Sequence, residues 1–346
     1  MAVMTRRRLL KLGALVTGTV LMTSCTPATP PDQLGEVGGI APVPGAVTFP
    51  RILHASATQV VSSCPAGICT WDATNGKLLG SVRASAEAIS ADHRLLASAG
   101  AHGEIAVVDA TTGRVVRTLA GHPAGEITDT ATNITCLEFS PDGNSLLSAA
   151  FNDSAVKVWT LATGTVAATV QVPAGSVMNA SFSADGNRLA LAGYSMPTQV
   201  WELSSHRLLS RAAAGAQNGS WVAITPDGAQ VAQIMTDSPS VVTIFDAQTF
   251  TAIATAPTHA PATAPVFSAD GSVLAYSLYG QHQLALWRAR TNRVVTIDTE
   301  SPANPAFGPD PGTVYSATGF NETNAQEVRS WNSNSGTLGI RFEAVN

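Results

Sequence analysis

Residues 139–143 read FSPDG. The same phrase returns as FSADG at 182–186, ITPDG at 224–228, FSADG at 267–271 and FGPDPG at 307–312, with ISADH at 89–93 as a weaker copy. The aspartates Asp142, Asp185, Asp227, Asp270 and Asp310 stand 43, 42, 43 and 40 residues apart. Each phrase ends an apolar run such as ITCLEF at 134–139. A Pro-Asp-Gly step turns the chain there, because Gly takes positive φ without steric cost and Asp hydrogen-bonds its own backbone.

A second marker follows each turn: Trp71-Asp72, Val108-Asp109, Trp159-Thr160, Trp201-Glu202, Phe245-Asp246, Trp287-Arg288 and Trp331-Asn332. Between the markers lie short strand-like runs, exemplified by SLLSAA at 145–150, AVKVW at 155–159 and the stretch from Thr165 to Val172. One unit is therefore four antiparallel strands. A single such sheet cannot cover both its faces, so its neighbours must stack against it in a ring, and a period of 40 to 45 residues is the sign of a β-propeller. The expected fold is all-β, a seven-bladed propeller of four-stranded blades at about 48–83, 86–120, 133–172, 177–213, 219–256, 263–298 and 304–344. Sparse charge (12%) and abundant Gly and Pro agree with many short strands and turns.

Repeat length and turn chemistry resemble the WD-repeat family across this whole span. That family ties its blades with a His, Ser or Thr, Asp and Trp hydrogen-bond set. By resemblance, blade three carries it, with His122 after Gly121, Asp153 six residues before the strand end, and Trp159. Elsewhere the position of Asp153 is held by Pro65, His102, Ser195, Pro239, Gln281 and Ala325. The other six blades are thus expected to rely on apolar packing. Ring closure stays open at this level: blades one and seven each own an outer strand, and residues 39–47 offer an additional edge strand.

The N-terminus is of another kind. Residues 5–11, TRRRLLK, precede an apolar run at 12–22 that is too short to span a bilayer, which needs about 20 apolar residues. A basic start, a short apolar stretch and small residues at the end describe an export signal. The paired arginines resemble a twin-arginine motif, and Leu21-Met22-Thr23-Ser24-Cys25 resembles a bacterial lipobox. The resemblance implies cleavage after residue 24 and diacylglycerol on Cys25, so that the lipid holds the chain to the outer face of the cytoplasmic membrane. Residues 25–45, rich in Pro, Gly and Thr, read as a linker with a mean span of about 25 Å. Residues 46–346 form the propeller.

The whole chain has net charge −5, and loss of Arg6, Arg7, Arg8 and Lys11 with the signal takes it to −9. That balance argues against nucleic acid and anionic lipid headgroups as partners, both of which want a basic face. Cys64 and Cys69 flank a turn of blade one and suit a disulfide in an oxidising compartment, while Cys136 is expected to be a buried free thiol. No GxSxG, HExxH, phosphate loop or CxxC motif occurs, and no cofactor or metal is expected. His93, His206 and His282 fall in or beside turns, where histidines are usually solvated.

Two connections are long. PAGEITDTATN at 123–133 leads into blade three, and GFNETNAQ at 319–326 joins two strands of blade seven. Both emerge on the same rim of a propeller and carry Glu126, Asp129 and Glu322. Long loops on one face of a repeat protein favour a binding face. The expected function is a membrane-tethered, monomeric scaffold that binds a protein or small ligand on that rim. The alternative is an exported propeller enzyme, a lactonase-like hydrolase or quinone-dependent dehydrogenase, with its site in the central channel.

Overall fold

A computed structural model describes residues 51–342, apart from 65, 85, 101–102, 123–133, 151–152, 173–175, 214–218, 236–239, 257, 259, 279, 300–302 and 319–326. The chain is a seven-bladed β-propeller, each blade a four-stranded antiparallel sheet built from consecutive strands. The blades occupy 52–82, 88–120, 134–171, 176–211, 219–256, 262–298 and 303–341. Blade three is representative, with strands Ile134–Phe139, Ser145–Ala150, Ala155–Thr160 and Thr165–Gln171. First strands of successive blades touch one another all round the ring, so they line the channel. Fourth strands are mostly exposed and form the outer wall.

The repeated phrase is a small hydrogen-bond circuit between the first two strands. In blade three the Ser140 hydroxyl donates to Asp142 Oδ1 at 2.6 Å and accepts the Ser145 N–H at 2.9 Å. Asp142 also accepts the Asn144 N–H at 3.0 Å. The circuit recurs at Ser90/Asp92, Ser183/Asp185, Thr225/Asp227 and Ser268/Asp270. These carboxyls sit below the usual carboxylate range, chiefly through the hydroxyl bond at Asp92, Asp142, Asp185 and Asp227, while at Asp270 burial opposes the hydrogen bonds most strongly. Gly143, Gly186, Gly228 and Gly271 all have φ near +70°. In the weaker copy, His93 takes that place with φ 60°. The residue closing the third strand makes a second local turn: Asp72, Asp109, Asp246 and Asn332 each accept N–H groups two or three residues on.

Apolar packing joins neighbouring blades. Trp221 of blade five and Trp287 of blade six share one cluster with Phe267 and Tyr276. Burying a large apolar side chain contributes roughly 1.5–3 kcal/mol, so such clusters are the main glue of the seams. Among the described residues blades one and seven share no strand; each is complete in itself. Their seam is closed by side chains: Val60, Cys64, Cys69 and Trp71 of blade one pack with Tyr315, Ala317, Val328 and Phe342 at the other end of the chain. Cys64 and Cys69 are bonded across the hairpin, Cα atoms 5.9 Å apart, inside this closing cluster. Cys136 is a buried free thiol. No helix among the described residues is long and apolar enough to cross a membrane.

Candidate functional site

His122 follows the outer strand of blade two and is held against blade three. Its Nε2 lies 2.6 Å from Ser148 Oγ and its Nδ1 lies 2.8 Å from Asp153 Oδ2. Trp159 Nε1 donates to the same Ser148 Oγ at 2.7 Å. Lys157 Nζ donates to Asp153 Oδ2 at 2.7 Å. The partners fix the tautomer. The Asp153 carboxylate can only accept, so Nδ1 carries the imidazole proton and donates to it, leaving Nε2 to accept the Ser148 hydroxyl. Burial holds His122 below the ordinary histidine range, and Lys157 adds to this while Asp153 opposes it. The imidazole is therefore neutral at pH 7.

Serine, histidine and aspartate in a row also describe an activated nucleophile. Here the serine is 0% exposed and its oxygen is already engaged by the indole, so no substrate carbonyl reaches it. The arrangement pins the second-to-third turn of blade three to the preceding connection. Ser148 was not among the residues singled out from the sequence. Its signal was available as the serine in the second strand two residues on from Leu146, which stands opposite Trp159.

The expectation that six blades lack polar ties needs correction. Trp331 of blade seven donates to Ser316 Oγ at 2.9 Å, the same serine-to-indole bond without the histidine. Trp201 of blade four finds Gln199 Oε1 at 2.8 Å, and Trp287 of blade six finds Asn292 Oδ1 at 3.2 Å. Blade two shows the converse. Val108 replaces the tryptophan, and Ser98, at the place of Ser148, keeps a buried hydroxyl without a partner. A buried indole N–H favours a nearby acceptor, and Trp159, Trp201, Trp287 and Trp331 each find a different one, whereas the Trp221 N–H on the first strand of blade five is buried without a partner.

Two carboxyls inside the ring escaped sequence reasoning. Glu138, on the first strand of blade three, accepts the Phe182 N–H of blade four at 3.3 Å, while its other oxygen is buried without a partner. Burial pushes it up to about 8. Glu87, ahead of blade two's first strand, accepts the Ala99 N–H at 2.8 Å and is pushed up to about 7 by burial, which that N–H and Arg51 oppose. His93 is also a correction. It is half-buried, packs edge-on against His54 with ring centres 4.5 Å apart, and reaches Gln59. His206 and His282 are exposed, both with positive φ.

The second-to-third turns and the connections between blades share one rim. Tyr194 ends the second strand of blade four there, and at 66% exposure it is the most exposed large apolar side chain among the described residues. Glu126, Asp129 and Glu322 lie outside the described residues, as does Cys25. Toward the opposite rim, a cleft of about 220 Å³ is lined by Phe182, Ile224, Phe267, Pro226, Pro265 and Ser181. Among the described residues, no three His, Cys, Asp or Glu side chains converge as a metal site.

Ring and buried network together define a propeller of the WD type in architecture. A family model described as WD domain, G-beta repeat matches residues 113–160. That window runs from the outer strand of blade two through the third strand of blade three, and it contains His122, Ser148, Asp153 and Trp159. A search of curated proteins returned no match.

Proposed function

We propose that the chain is an exported bacterial lipoprotein whose propeller is a protein-binding scaffold. Cys25 carries the lipid, residues 26–45 are the linker, and the rim bearing 123–133, 319–326 and Tyr194 is the binding face. The observation that carries the reading is the WD-type match around a sealed hydrogen-bond network, which is built for rigidity and has no room for turnover. A rigid ring presents its loops in fixed register, so that affinity is not lost to ordering the scaffold. Tyr194 suits such a face, since tyrosine offers a large amphipathic surface at small entropic cost.

Two experiments test the two halves. Metabolic labelling with palmitate, with the Cys25→Ser chain as control, reads the anchor; equal label in both chains refutes it. Affinity capture of the protein from its own membranes, repeated after deleting 124–132 and with Tyr194→Ala, reads the rim. Unchanged partners in both variants refute the rim as the binding face.

A further inference from the structure

The propeller's charges are segregated in a way that net charge conceals. Among the described residues most acids stand at turns: Asp92, Asp142, Asp185, Asp227, Asp270 and Asp310 after the first strands, with Asp72, Asp109 and Asp246 closing the third. The seven outer strands contain one acid, Asp298, against Arg117, Arg207, Arg211, Arg293 and Arg341, with Lys77, Arg83 and Arg114 at strand ends. Blades one and two add exposed apolar pairs. Their outer walls read Lys77-Leu78-Leu79-Gly80-Ser81-Val82-Arg83 and Arg114-Val115-Val116-Arg117, with Leu79 55% and Val116 52% exposed. Lys77, Arg83 and Arg114 are exposed and make no ion pair among the described residues. Arg117 is turned aside to the Ala162 carbonyl of blade three. On blade four a similar run, Arg207 to Arg211, keeps Leu208 and Leu209 half-buried and pairs Arg207 with Glu202.

The two walls are contiguous, since the turn at Gly113 of blade two lies against Val82 of blade one. Blade seven extends the patch on the other side with Leu338 and Arg341.

We propose that the outer strands of blades one and two rest on an anionic phospholipid bilayer. Leu79 and Val116 enter the headgroup region, and Lys77, Arg83 and Arg114 meet lipid phosphates. Charge complementarity selects the occupant: paired apolar side chains flanked by cations, with no acid in either strand, match an anionic interface. The ring then stands edge-on, leaving both rims free for partners. The inference extends the proposed membrane location and does not depend on Cys25 itself.

The twenty-eight strands among the described residues lie within 52–341, so a chain beginning at Thr26 retains this ring and carries no lipid. Its flotation with vesicles of phosphatidylglycerol and phosphatidylcholine is compared with pure phosphatidylcholine, at low and high salt. Strong, salt-sensitive binding to the anionic vesicles is expected. Lys77→Gln/Arg83→Gln/Arg114→Gln lowers it on the order of a hundredfold, and Leu79→Ser/Val116→Ser lowers it at both salt concentrations, with near-UV circular dichroism confirming that each variant is folded. Equal binding to both vesicle types overturns the proposal, as does a charge variant that binds like the parent. Loss of a dimer in sedimentation on Leu79→Ser/Val116→Ser, without loss of vesicle binding, overturns it in favour of a contact between copies. If vesicle binding fails while palmitate is incorporated at Cys25, the wall proposal falls and the anchor stands.

Discussion

Three serines occupy the same place in three blades and differ only in what they touch, which makes a graded test of the buried network. Ser148 receives the Trp159 indole N–H and reaches His122 Nε2; Ser316 receives only the Trp331 indole; Ser98 has no partner. Leaving a buried polar group unsatisfied costs about 1–3 kcal/mol. Ser148→Ala strands two groups, in side chains only 2% and 5% exposed, and should cost about 2–5 kcal/mol. Ser316→Ala strands one and should cost about 1–3 kcal/mol. Ser98→Ala removes an orphaned hydroxyl and should stay within about 0.5 kcal/mol or stabilise. Urea unfolding followed by tryptophan fluorescence and by far-UV circular dichroism gives the midpoints, with coincident transitions and an unchanged slope as the condition for comparison. If Ser148→Ala and Ser98→Ala lose the same stability, the network does not tie the blade, and the account of His122 as a neutral structural hub is wrong.

Further outcomes follow from other positions. Glu138 and Glu87 keep a proton in the fold that the unfolded chain releases above its ordinary value of 4.5. Stability should therefore fall as pH rises from about 4.5 to about 8 and level off beyond; Glu138→Gln should flatten that slope, and an unchanged pH profile in the variant counts against a buried neutral acid. Reducing the Cys64–Cys69 bond should cost about 2 kcal/mol for so short a loop, with hydrogen exchange rising first at the seam of blades one and seven. Exchange rising evenly round the ring would be incompatible with closure through that cluster. Gly193→Ala would bring a Cβ to 1.9 Å from the Ser176 carbonyl oxygen and should cost several kcal/mol, whereas Gly80→Ala meets open space and should be near neutral. Similar melting temperatures for the two would refute the close strand approach.

Most of the blade was legible from residues because its determinants are local. Strand alternation has a period of two, and the Ser-x-Asp-Gly circuit closes within six residues, so neither needs knowledge of the rest of the chain. The same locality explains why ISADH could be read as a copy: His93 tolerates the left-handed conformation that the turn requires. His122, Asp153 and Trp159 could be named through resemblance, but the hydroxyl that joins them, Ser148, lies 26 residues from His122 and is one serine among many.

What the sequence by itself determined is the repeat, the strand count per blade and the seven blades, all of which are set by neighbours in the chain. Only the tertiary structure decided which groups become buried, how the ring closes and where the charges gather. Burial between blades three and four raises Glu138 against the opposing pull of the Phe182 N–H, and the ends meet through a side-chain cluster without exchanging a strand. Net charge is a sum over the chain, whereas a partner meets one face. Among the described residues the outer strands carry five arginines and one acid, an excess visible only once every strand has its place.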